Sequence, residues 1–117
     1  FYMKLGNIEV DFSFSNTTNL RKLENAYNKL ILETETKKTQ AKNFIEEIDI
    51  ACNIVRNFLN EVFGKGMDKK ILGEENDFEK ATDILEDIMK QYQEEQNRLS
   101  GKYAKYNPER VKKGKKK

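Results

Sequence analysis

Apolar and polar residues alternate along the opening stretch FYMKLGNIEVDFSF. Leu5, Ile8, Val10, Phe12 and Phe14 are apolar, and Glu9, Asp11 and Ser13 fall between them. Period-two spacing is the signature of a half-buried strand, and Gly6-Asn7 suits a tight turn with positive φ. A β-hairpin is therefore predicted over residues 2–14, with strands at 2–5 and 8–14. An isolated hairpin is marginal in water, so its apolar face must rest on helices or on a partner.

The period changes after Ser15-Asn16-Thr17-Thr18, a run that offers a choice of helix N-caps. Leu20, Leu23, Tyr27, Leu30 and Ile31 recur at steps of three and four, which predicts a helix over about 19–33. The wholly polar ETETKKTQ (33–40) is either a loop or a solvated turn. Heptad phase runs through it, with Leu20, Tyr27, Thr34, Ala41, Ile48, Val55 and Val62 each seven apart, as in a coiled coil. One helix over 20–63 would nevertheless be about 66 Å long, too long for this chain to cover. A break or bend near 34–40 is the expectation.

From Ala41 the stripe strengthens through Phe44, Ile45, Ile48, Ala51, Cys52, Val55, Phe58, Leu59, Val62 and Phe63. It is wider than a two-stranded seam needs, so a helix over 41–63 should be central and touch several elements. Gly64 and Gly66 stop it, and 67–73 has room for one short turn that folds back. Asn76 reads as the next N-cap, with Glu79 closing a capping box. Phe78, Leu85, Tyr92, Leu99 and Tyr106 follow at strict sevens, with Ala81 and Ile88 between. The pattern decays toward Glu95 and Lys102, so this helix is placed at 77–99, short of Ser100-Gly101 and Asn107-Pro108. The fold class expected is mainly α: an N-terminal β-hairpin, then a small helical bundle, as a single domain over 1–106. Residues 107–117 are expected to form a basic, disordered tail.

With 117 residues, 36% of them charged, and a mean hydropathy of −0.88, there is apolar content for one modest core. No run of about 18 apolar residues predicts a membrane span, and no stretch resembles a secretory leader. Phe1 and Tyr2 precede Met3, the expected native start. The lone Cys52 fits a reducing compartment, and an intracellular location is expected.

Charge is unevenly placed. Lys102, Lys105, Arg110, Lys112, Lys113, Lys115, Lys116 and Lys117 face only Glu109 over 102–117, a local net of +7. The rest of the chain is left at −5, and residues 74–95 hold nine acids against Lys80 and Lys90. In the tail, lysines interleave with Tyr103 and Tyr106, a pattern that suits phosphates and stacked bases. The same residues also read as a solvated helix end. A third reading is contact with an acidic protein surface, including the 74–95 segment of a neighbouring copy.

Catalytic chemistry is scarce. The chain has no histidine, which removes the Ser-His-Asp, Cys-His and HExxH arrangements. One cysteine cannot make a thiolate zinc cluster, and Cys52 reads as an inert core thiol. Glu46, Glu47, Glu74 and Glu75 stand in charge-rich stretches that read as solvated faces. Gly64-Lys65-Gly66 follows a helix and lacks phosphate-loop spacing, so it reads as a helix stop. No enzyme activity, metal or cofactor is expected.

The segments MKLGNIEVDFSF, VRNFLNEVFGKGMDKKILGEEND and YNPERVKK together resemble a small family of uncharacterised phage and prophage proteins from Gram-positive hosts. Lys65, Met67 and Asp68 depart from the family pattern, which has Glu, Thr and a variable residue there. Members resemble products of tail-gene modules, near the tail tube and tape measure genes, and some carry the label tail assembly chaperone. The resemblance implies a protein that shields the long helical tape measure protein until the tube polymerises around it. Helix-in-groove packing would serve that role. Phe44, Phe58, Phe63, Ile71 and Tyr92 are the partner-contact candidates, being apolar positions beyond what a small core needs. The competing expectations are a nucleic-acid-binding phage regulator, or inhibitor of a host nucleoprotein, that uses the basic tail, and a self-assembling structural protein.

Overall fold

The computed structural model describes residues 2–106. The chain is mainly helical, with a two-stranded antiparallel hairpin ahead of four helices. Strands β1 (Tyr2–Leu5) and β2 (Ile8–Asp11) pair in the register Met3↔Val10 and Leu5↔Ile8. Gly6 takes φ +61° in the two-residue loop, a value that a side chain would resist. The second strand stops at Asp11, not at Phe14. Tyr2 pairs with Asp11, so nothing on β1 lies opposite residues 12–14.

Those residues still turn inward. Met3, Leu5, Val10, Phe12 and Phe14 are all buried in one cluster with the helices. The Phe12 ring meets Phe14 edge-on at 5.2 Å and Phe63 at 5.3 Å, and Phe14 lies 5.8 Å from Tyr92. In this register Lys4 and Glu9 form a non-hydrogen-bonded pair, so the Lys4 carbonyl points away from β2. The Gln91 side-chain amide donates to it at 2.8 Å, tying the hairpin edge to the last helix.

Helix α1 (Thr17–Lys37) is capped by Asn16, whose Oδ1 accepts from the Thr18 and Asn19 backbone N–H groups. It runs four residues beyond the predicted end at 33. Thr34 and Thr36 donate their hydroxyls to the carbonyls of Leu30 and Leu32, so the threonines stay within the helix. A 3-10 turn at Lys38–Gln40 and an extended Ala41 then break the chain before Asn43 caps α2 (Phe44–Phe63). The short connection makes α1 and α2 antiparallel neighbours, with Lys29 and Glu61 paired across them at 2.6 Å.

Gly64 ends α2, Gly66 opens the short α3 (Met67–Leu72), and α3 turns Ile71 and Leu72 back into the core. Asp77, not Asn76, caps α4 (Phe78–Lys105), accepting from the Lys80 N–H at 3.2 Å. Helix α4 continues six residues past the predicted end, straight through Ser100-Gly101. One interior glycine costs about 1 kcal/mol, too little to stop a helix already 23 residues long. The helix ends just ahead of Asn107-Pro108, where the residue before proline disfavours helical geometry. The predicted tail, 107–117, lies outside the described residues.

The core centres on the second half of α2, where Leu59 is 0% and Phe58 2% exposed. Cys52, toward the middle of α2, is buried as well, and burial pushes its thiol pKa up, as an inert thiol requires. Leu59→Ala should cost about 2–5 kcal/mol in urea unfolding. The exposed Leu32→Ala should stay within about 0.5 kcal/mol of the wild type, and equal effects at both sites would contradict this core.

Candidate functional site

Helices α1, α2 and α4 do not close over one another along their whole length. Toward the N-terminal ends of α2 and α4 and the C-terminal end of α1 they leave a cleft of about 360 Å³. Leu30 from α1, Ile50, Ala51, Ile54 and Val55 from α2, and Ala81 and Leu85 from α4 form its apolar lining. Phe78 stands at the start of α4, 45% exposed.

The polar groups around this cleft are largely engaged elsewhere. Thr34 and Thr82 donate to the helix carbonyls of Leu30 and Phe78, and Lys38 pairs with Glu35 at 3.4 Å. What remains is the exposed Glu47 side chain and an apolar surface that recognises shape and hydrophobic area more than a particular donor.

A polar strut fixes the loop that leads into α4. Arg56 reaches from α2 under the loop at 73–77 and donates Nε to Asn76 Oδ1 at 2.9 Å. Its other nitrogens donate to the Glu75 carbonyl at 2.8 Å and to Asp68 Oδ2 at 3.2 Å. Asn76 passes the link on, donating Nδ2 to Asp49 at 3.0 Å. This explains why Asn76 is not the cap: its side chain is spent between Arg56 and Asp49, and Asp77 takes the helix end. Asp68 is almost fully buried. Burial alone would raise its pKa, but hydrogen bonds from Arg56, the Asn60 side chain and the Lys69 backbone outweigh that and hold it below the ordinary value.

The five partner-contact candidates fall into different places. Phe44 is 72% exposed on the first turn of α2. Phe58 and Ile71 are 2% and 5% exposed, so they are core residues and present no surface to a partner. Phe58 lies beside Ala26 and Leu30 of α1, and the return of α3 carries Ile71 into the core, neither of which an excess count from sequence anticipates. Phe63 and Tyr92 are half-buried and support Phe12 and Phe14 of the hairpin segment. Lys102 and Lys105 lie on the exposed last turns of α4, beside the exposed Tyr103 and Tyr106. Arg110, Lys112, Lys113, Lys115, Lys116 and Lys117 lie outside the described residues. Leu32, Ile45 and Phe78 are exposed apolar surface that sequence reasoning missed, although Ile45 and Phe78 belong to stripes at helical spacing and Leu32 follows Leu30-Ile31.

Among the described residues, no three Cys, Asp or Glu side chains gather as a metal site would require. Also among them, no helix is long and apolar enough to cross a membrane.

Residues 6–117 match a family described as a family of unknown function, DUF6673. The chain belongs to this family. It is also 34% identical over 88 residues to one component of an ATP-dependent helicase/deoxyribonuclease from Lactococcus lactis subsp. lactis (strain IL1403). That likeness takes in 75% of this chain but only 8% of the relative's length. No solved structure matches.

Arg56→Ala should lower stability by about 3 kcal/mol, because it strands a buried carboxylate. Asp68 is held below its ordinary value in the folded protein, so its contribution is present above about pH 4 and is lost as pH falls through the depressed value. The stability gap between wild type and Arg56→Ala, followed by urea unfolding across pH, should therefore narrow in acid.

Proposed function

We propose that this DUF6673 protein is a non-enzymatic binding protein whose apolar cleft receives an amphipathic helix of another protein. The finer reading is a phage or prophage tail assembly chaperone that shields the tape measure protein in the cytoplasm until the tube forms. The observation that carries the proposal is the open cleft between α1, α2 and α4, apolar in its lining and with its hydroxyls already engaged. A helix laid there would bury side chains at positions i, i+3 or i+4 and i+7 against Leu30, Ala51 and Leu85. The phage assignment is supported by the resemblance carried by MKLGNIEVDFSF, VRNFLNEVFGKGMDKKILGEEND and YNPERVKK.

A second reading draws on a different observation. Tyr106 is 80% and Tyr103 57% exposed, next to Lys102 and Lys105, at the far end of α4. Aromatic faces and cations so placed suit a single strand, and the Lactococcus relative is by its name part of a helicase/deoxyribonuclease. Attachment of a strand there would weaken linearly on a log–log salt plot. Helix capture in the cleft would depend little on salt.

Ala51→Trp tests the main reading by filling the cleft from a half-buried position. Helical content and melting temperature should change little. The variant should fail to keep a co-expressed tape measure protein in the soluble fraction, whereas the unaltered chain keeps it there. Retention by the filled variant, or no retention by the unaltered chain, would overturn the proposal.

A further inference from the structure

A second hollow opens on the other side of Phe78, with a volume of about 750 Å³. Its apolar part is Phe44, Ile48, Leu72 and Phe78. Its rim is the loop and first turn that lead into α4, carrying Glu74, Glu75, Asp77 and Glu79 against Lys80. Among the described residues, no cation pairs with Glu74, Glu75 or Glu79. Asp77 is engaged as the helix cap, and Lys80 leans over Gly73. The α4 N-terminus adds only about half a positive charge, so the rim stays clearly negative. Arg56, which fixes the loop from beneath, is balanced by Asp68. The hollow is thus preformed, negative at its rim, and open to a segment that brings cations with some apolar surface.

The same chain carries such a segment. Residues 107–117 hold Arg110, Lys112, Lys113, Lys115, Lys116 and Lys117 against Glu109, with Pro108 and Val111 among them. The segment cannot fill the hollow of its own molecule. Helix α4 separates the two, and the rise from Phe78 to Lys105 is about 40 Å at 1.5 Å per residue. Eleven residues drawn fully straight span at most about 40 Å, with nothing left to pass round the helix and enter. Arg110, only four residues beyond Tyr106, falls far short of it.

We propose that the acid-rimmed hollow at the start of α4 binds the basic segment 107–117 of a second copy of this chain. The contact is head-to-tail. Two molecules that exchange segments form a closed pair, and one-way exchange builds rings or open chains. This inference uses a different surface from the helix-binding cleft, shares only Phe78 with it, and stands or falls separately.

Sedimentation of the full chain should show self-association that weakens between about 0.05 M and about 0.5 M salt. A form lacking 107–117 should be monomeric. So should a form carrying Glu74→Lys, Glu75→Lys and Glu79→Lys together, all exposed positions whose change leaves the core intact. Mixing these two monomeric forms should restore a one-to-one pair, since one keeps the hollow and the other keeps the segment. A labelled peptide of residues 107–117 should bind the truncated form, and Phe44→Ser should weaken that binding about tenfold or more. Self-association that survives truncation, a monomeric full chain, or a mixture that fails to pair would each overturn the proposal.

Discussion

Helix α2 carries more apolar surface than any one neighbour covers, and the rest of the fold is arranged around that excess. Its second half is covered along its whole apolar face, and only polar positions such as Asn57 and Glu61 stay exposed. The hairpin segment reaches it through Phe12 and Phe63, α3 folds back with Ile71 and Leu72, and Ile84 and Ile88 arrive from α4. Its first half has fewer neighbours. There α1 is ending and α4 is beginning, so Ile50 and Ala51 stay half-buried and Phe44 and Ile45 are open. The cleft and the acid-rimmed hollow both follow from this uneven coverage, one on each side of Phe78.

Coverage of the hairpin works in the reverse direction. A two-stranded sheet has no second layer of its own, and here the layer is supplied by side chains that reach it from α2 and α4. Phe63 and Tyr92 hold Phe12 and Phe14, and Gln91 satisfies the outward Lys4 carbonyl. Polar order is concentrated at one other place, the Arg56 strut, where three acceptors fix the entry to α4. The apolar packing sets the position of the helices, and the strut sets the shape of the loop between them.

The elements were legible in the sequence because their periods differ: two before Ser15, and three to four after it. The stripe from Ile48 to Val62 and the stop at Gly64 rest on local chemistry, and the structure has them where that chemistry puts them. Features that depend on distant partners were not legible. Either Asn76 or Asp77 is a competent cap, and the choice falls to Asp77 because Arg56, twenty positions away from Asn76, claims the other side chain. Phe58 looked surplus to a small core because the count took no account of how α1 packs along α2, beside Ala26 and Leu30. The cleft arises from where three helices start and stop relative to one another, which no single stretch of sequence encodes.

Cys52 gives the molecule a built-in gauge of its own integrity. Its sulfur is enclosed in the core and its ionisation is suppressed by burial, so a thiol reagent in solution meets no reactive group while the helices stay together. Modification must wait for α2 to come away from its neighbours, and its rate under fast reclosing measures the population of that opened form. With no other cysteine in the chain, the signal belongs to one position. A partner helix seated between α1, α2 and α4 would hold the same three elements together and slow that clock, without the reagent ever touching the binding surface.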